Sequence, residues 1–212
     1  VKAPALMSTR PVTAQDALDQ CEKLSPMMVH YCQTKTGLTD PANTILFYRL
    51  GDFYEMFFED ATLVSKELEL TLTGKDCGME ERAPMCGIPY HAAEGYINRL
   101  VENGHKVAIC EQMEDPKQAK GMVKREVIRV VTPGTTLIPQ GLDETKNNYI
   151  MSIVCMEGCF GISTADISTG QCLVTEMDKP RRLVDEITKF MPAEIICNQS
   201  FLLCGIDVED LR

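Results

Sequence analysis

No run of apolar residues in this 212-residue sequence reaches the roughly 18 that a membrane span needs. No basic head followed by an apolar core opens it, so a secretory signal is not expected. No CxxC pair occurs among the ten cysteines. Their closest spacing is Cys155 to Cys159, with all three histidines far away, so a zinc-ligand pattern is absent. The sequence also lacks HExxH, GxSxG and the Rossmann glycine fingerprint. "TGKDCG", residues 73 to 78, has Gly-Lys but neither the first glycine of a phosphate loop nor its magnesium-binding hydroxyl. No metal or catalytic centre is expected from these motifs.

What is present reads as a globular chain. Hydrophobic content of 44% and charged content of 25% are ordinary for a soluble protein, and the length fits one or two domains. The cysteines sit inside apolar runs such as "VAICEQM" and "AEIICN", which points to buried thiols in a reducing cytosol. Net charge is −10, which argues against dense phosphate binding. The acid is concentrated late: residues 141 to 212 hold six Lys+Arg against twelve Asp+Glu. One segment runs the other way, with Lys117, Lys120, Lys124, Arg125 and Arg129 facing only Glu126.

Residues 1 to 22 are expected to be a flexible leader, with a short helix possible over 14 to 24. "LSPMMVHYCQTKTG" predicts a helix capped by Ser25, started by Pro26 and ended before Gly37. "TILFYRL" predicts a strand, and "EDATLVSKELEL" a helix with Ala61, Val64 and Leu68 on one face. Strand and loop follow through "APMCGIPYH". Then come a helix closed by Gly104, a strand "HKVAICEQM", a polar loop and a strand "REVIRVV". This is a mixed α/β domain over residues 23 to 136. A polar linker is expected at 137 to 148. Residues 149 to 212 predict three strands turned at Gly158 and Gly170, a helix and a fourth strand. That order resembles the first half of a ribonuclease-H-like sheet, so an excised fragment is expected. Asp166 lies where a nuclease of that fold would place a metal carboxylate. Two-metal chemistry needs several converging acids, and the matching strands offer no second one, so a structural role is expected. His91 is expected to cap or pack at a helix start, and His30 and His105 have no evident Cys or Asp partner.

"GDFYEMFFED", residues 51 to 60, is the least ordinary stretch. Strand alternation would put Phe53, Glu55 and Phe57 on one face, and Tyr54, Met56 and Phe58 on the other. One reading is core aromatics with an exposed acid. The other is a wedge: an aromatic that stacks on bases beside an acceptor that tests a base edge.

Five segments carry a resemblance: "LSPMM", "ILFYRLGDFYEMFFEDA", "APMCGIPYHA", "VAICEQMEDP" and "REVIRVVTPGT". In this order they resemble the mismatch-recognition domain of the bacterial MutS family, over about residues 24 to 136. Residues 147 to 212 more weakly resemble the first half of the family's connector domain. The resemblance implies a mixed-sheet mismatch-recognition domain followed by a truncated connector. It implies that Phe53 enters the minor groove and stacks on a mispaired or unpaired base, while Glu55 hydrogen-bonds that base. Met85 and Gly87 would approach the groove. Lys75, Arg82 and the basic loop from Lys117 through Lys120 and Lys124 to Arg125 would be candidate phosphate contacts. Tyr54, Phe57 and Phe58 would hold the wedge. The expected partner is double-stranded DNA with a mismatch or a small insertion/deletion loop. A full-length parent would be a cytoplasmic, nucleoid-associated homodimer that uses ATP and magnesium and signals to MutL through the connector. The fragment itself would be no enzyme, and would bind no cofactor and no membrane.

Overall fold

The computed structural model describes residues 13–20, 23–79, 81–114, 121–136 and 147–206. It divides into two compact units, Val1–Val131 and Thr132–Arg212. The expected linker at 137 to 148 lies almost wholly outside the described residues, as does the leader before residue 13.

The first unit is a six-stranded sheet covered on both faces. Its elements are α1 (Ala14–Gln20), α2 (Pro26–Thr36), β1 (Thr44–Leu50), β2 (Phe53–Phe57), α3 (Phe58–Glu67), β3 (Thr73–Lys75), β4 (Ala83–Pro89), α4 (Ala93–Glu102), β5 (Lys106–Gln112) and β6 (Arg125–Val131). The strand order is β3-β4-β2-β1-β5-β6. Only β1 and β5 pair in parallel. β1 is a continuous apolar run because both its faces are covered. Ile45 and Phe47 pack with Ala61 and Val64 of α3, with Leu68 just after it, and with α4. Leu46 and Tyr48 pack on the other side, with Ala14, Ala17, Met28, Tyr31 and Cys32 of α1 and α2.

The ends of α2 follow its sequence signals. Ser25 accepts from the Met28 amide, Pro26 opens the helix, and the Gly37 amide donates to Gln33 O. Within the segment expected as a leader, Ala14–Gln20 is helical, in line with the short helix foreseen over 14 to 24, and Ala14 and Ala17 are fully buried. The entry to α2 is held by the Ser25 amide donating to Cys77 O (2.9 Å). Beside it Gly78 has φ +89, and a Cβ there would stand 1.9 Å from Lys23 O. Gly78→Ala combines a left-handed backbone with a backbone clash. It should destabilise the first unit by at least the ~1–2 kcal/mol of the conformation alone, read as a lower thermal midpoint.

One expectation about faces fails. Phe58 does not join Tyr54 and Met56, but packs with Phe57 on the α2 side. Phe58 has φ +53 and is the first residue of α3, so alternation ends one residue earlier than the apolar run does.

The second unit holds β7 (Tyr149–Met156), β8 (Cys159–Asp166), β9 (Gln171–Met177), α5 (Pro180–Phe190), β10 (Glu194–Cys197) and a short α6 (Gln199–Leu202). β7, β8 and β9 form an antiparallel meander whose turns use Gly158 (φ +83) and Gly170 (φ +72). The α5 crossover brings β10 back parallel to β7, giving the order β10-β7-β8-β9. Met151, Ile153, Phe160 and Ile162 pack under Leu183 and Ile187 of α5 and Phe201 of α6. Thr132 to Thr135 fold with this unit: Asn148 donates to Pro133 O (2.9 Å) and the Gly134 amide to Glu194 (3.3 Å). The first unit thus ends ahead of residue 136.

The cysteine expectation holds in part. Of the nine described cysteines, Cys32, Cys77, Cys86, Cys110 and Cys155 are buried. Burial pushes the Cys86 and Cys110 thiols up to about 12. Cys159 and Cys172 are exposed, because one opens β8 after a turn and the other lies on the edge strand β9.

Candidate nucleic-acid interface

The stretch 51 to 60 is a strand that runs straight into a helix. Gly51, at φ +58, and Asp52 turn β1 into β2, and Leu50 pairs with Phe53. The Tyr90 amide fastens this hairpin end by donating to Asp52 O (3.0 Å). Towards α3 the side chains are buried: Met56 and Phe57 of β2 and Phe58, which opens α3, are fully covered. Towards the turn the cover stops, and Phe53 is 48% exposed. Glu55 is only partly exposed, with its side chain at 17%, and accepts from Lys75 Nζ at 2.6 Å. The arrangement inverts the reading of core aromatics with an exposed acid: the terminal aromatic is displayed and the acid is sheltered.

The opposite face of β2 is braced. Tyr54 packs on Phe47 and donates its hydroxyl to Glu111 of β5. Burial, and then Glu111, push its hydroxyl up to about 12, so it stays a donor. Arg49 donates to Gly51 O (2.5 Å), lies 3.5 Å from Glu111, and stacks 3.6 Å from the centroid of the Tyr90 ring. Side-chain bonds to the turn carbonyl, to β5 and to the residue after β4 therefore hold the Phe53 end of the hairpin. Neither the Arg49–Tyr90 stack nor the Tyr54–Glu111 bond was anticipated. The available signal was one exposed tyrosine after "GIP" and one arginine before the turn.

Met85 and Gly87 stand on β4 opposite Phe57 and Glu55. Gly87 keeps the space over Glu55 open, since a Cβ there would lie 3.3 Å from Tyr54 O and 3.5 Å from Glu55 Cγ. Phe53, Glu55, Met85, Gly87 and Lys75 thus gather on three adjacent strands. Lys75 has a carboxylate partner already, which the phosphate-contact expectation did not foresee. Arg82 is exposed just before β4.

The basic loop does not join this group as a whole. Lys117 and Lys120 lie outside the described residues. Lys124 is exposed and pairs with Glu126 (2.7 Å), ahead of β6 at the far edge of the sheet from β3. Arg125 corrects the expectation outright. It is buried, donates to Arg49 O (2.8 Å) and Val123 O (2.9 Å), and faces the Tyr48 ring, so its guanidinium is engaged within the protein rather than displayed on a loop.

His91 is not a cap: it is exposed in a 3-10 turn, edge-on to Tyr90, and neither the turn nor α4 has a side-chain cap there. His105 does have a partner, Glu67 at 2.6 Å. His30 contacts the Tyr48 hydroxyl at 2.8 Å, and burial holds its pKa low. Asp166 is structural: one carboxylate oxygen accepts from the Ser168 amide (2.8 Å), the Ser168 hydroxyl (2.6 Å) and the Thr169 amide (3.3 Å), closing the turn to β9. Residues 73 to 78 form no phosphate cradle, since Thr73–Lys75 is a strand and Lys75 is held by Glu55.

The family described as MutS domain I matches residues 25–139, and MutS domain II matches residues 148–204. The DNA mismatch repair protein MutS of Lachnoclostridium phytofermentans is 65% identical over 190 residues, which is 90% of this chain and 20% of that protein. Its counterpart from Acetivibrio thermocellus is 56% identical over 181 residues, 84% of this chain and 20% of that protein. That from Caldanaerobacter subterraneus is 52% identical over 182 residues, 84% of this chain and 21% of that protein. The chain spans about a fifth of the length of these relatives. Through the domain I match, which covers more than half of its residues, the chain belongs to the MutS family of DNA mismatch repair proteins.

Proposed function

We propose that the first unit reads mismatched DNA, with Phe53 stacking from the minor groove on a mispaired or unpaired base and Glu55 accepting a hydrogen bond from that base. The observation that carries this reading is a half-exposed aromatic at the end of a braced hairpin, with a carboxylate on the same strand face. A mismatched step is weakly stacked and easily kinked. Bending a site smoothly costs about 1–6 kcal/mol, and a defect lowers that. A wedge therefore selects deformable steps rather than a base sequence. The carboxylate adds a second filter. Near phosphates it is repelled unless a base N–H gives it a partner, so it weakens matched binding more than mismatched binding.

The same reading leaves the remaining roles to a longer protein. Dimer contacts, ATP with magnesium, and the response to that ATP would lie in parts that the domain I and II matches do not cover. The second unit would receive MutL. Among the described residues, the Gly-Lys segment at 73 to 78 offers ATP no phosphate cradle.

Glu55→Ala tests the filter. Affinity for matched duplex should rise, and the ratio of mismatched to matched binding should fall by about three- to tenfold, measured at one fixed salt concentration. A ratio that stays at the wild-type value would remove Glu55 from the readout.

A further inference from the structure

Lys75 stands on β3 opposite Ala83, and β4 separates β3 from β2. Its side chain crosses a strand to reach Glu55, ending 2.6 Å from Oε2. Two features permit this reach. Gly87, the β4 partner of Glu55, has no side chain in the way. Phe57, the next residue on that face of β2, lies 5.5 Å below the ammonium and offers it an aromatic surface. The side chains of the pair are 17% and 32% exposed, so the contact is sheltered yet open to solvent exchange. Beside the exposed Phe53 ring, the free protein therefore presents a neutralised pair rather than a bare carboxylate.

That pairing bears on discrimination, and the inference rests on the reading of Phe53 and Glu55 given above. A neutralised Glu55 is repelled by phosphates less than a bare one. A carboxylate that turns to a base N–H gives up this bond to lysine, and the freed ammonium then lies among phosphates. We propose that Lys75 is a specificity-determining residue: it holds Glu55 in the free protein and on matched DNA, and exchanges it for a phosphate when a base N–H takes its place. Lys75 thereby limits how strongly Glu55 rejects matched duplex.

The test uses the full protein that carries these residues, a duplex with one unpaired thymidine and its fully paired counterpart, at one salt concentration. Lys75→Met should weaken binding to the paired duplex more than to the looped one, where the lost phosphate contact is offset by a Glu55 bond that no longer has to be broken. The preference should rise about two- to fivefold, the scale of a partly exposed ion pair. Lys75→Arg should restore the wild-type ratio. In a Glu55→Gln background, Lys75→Met should no longer change the ratio, because the two residues act through one bond. Equal weakening on both duplexes in either background would make Lys75 a phosphate contact only and overturn the proposal, as would no change on either. Phe53→Ala in the same assay separates the levels. If it abolishes the preference while Lys75→Met leaves the ratio unchanged, only the counterion role falls. If the preference survives Phe53→Ala, or the wild type shows none, the wedge reading falls and the counterion role with it.

Discussion

Phe53→Ala should abolish the preference for mismatched over matched duplex while leaving non-specific binding in place. Stacking of a base on an aromatic side chain is worth about 1–3 kcal/mol by alanine substitution. That corresponds to roughly 5- to 150-fold in affinity, and it applies only where a base is free to unstack. Non-specific binding depends on phosphates and salt, which Phe53 does not touch. The fold should be indifferent to the change, because Phe53 is 48% exposed and its removal opens no core cavity. Phe57→Ala is the matching control. That ring is fully buried between the sheet and α2, edge-on to Tyr31 at 4.8 Å, and its truncation should cost about 3–5 kcal/mol of stability. A wedge residue separates the two readouts, with binding preference lost and the thermal midpoint kept. If Phe53→Ala instead lowered the midpoint and kept the preference, residues 53 to 57 would be core and nothing more.

Local signals carried much of this fold. Ser25, Pro26 and Gly37 bound α2 as their chemistry requires. The Ala61, Val64, Leu68 face and the Gly158 and Gly170 turns are all where spacing put them. What could not be read depends on pairing between distant segments. β3 lies two strands from β2 although it follows it in sequence, so nothing local announces that Lys75 meets Glu55. Arg125 looked like part of a basic loop because its neighbours are basic. Its burial follows from β6 pairing with β5, which brings it against Tyr48 and Arg49 O. The Phe58 assignment failed because a left-handed residue stops the two-residue period inside an unbroken apolar run. At the candidate site, the identities of Phe53 and Glu55 were legible, but their relative exposure was not. Exposure depends on where helix cover ends over the sheet, and that is a tertiary fact.

A buried ion pair should make the first unit sensitive to pH. Lys35 of α2 and Asp60 of α3 meet at 2.6 Å with side chains only 3% and 4% exposed. Lys35 also donates to Thr44 O (2.7 Å), while the second Asp60 oxygen accepts from the Leu46 amide (2.8 Å) and lies 3.4 Å from the Tyr31 hydroxyl. These bonds tie both helices to β1, the strand that leads into the Gly51-Asp52 turn. Burial raises the Asp60 carboxyl to about 6 although the Lys35 ammonium opposes the shift. A raised folded pKa means that the folded chain holds a proton which the unfolded chain has released, between about pH 4 and 6. The contribution of Asp60 to stability is therefore largest at the acid end of that window and declines as pH rises through 6. Lys35→Met removes the opposing ammonium and leaves a buried carboxylate uncompensated. The loss should be about 3–5 kcal/mol at pH 8. It should be clearly smaller at pH 5, where Asp60 can take up a proton in the folded state. Adding Asp60→Asn should recover part of the pH 8 loss, since no charge is left buried and the amide oxygen can still accept from Leu46. Urea unfolding at the two pH values measures the difference, and hydrogen exchange at the Leu46 amide reports it locally. An equal loss at both pH values would mean that Lys35 contributes by packing its methylene stem rather than by holding the Asp60 charge.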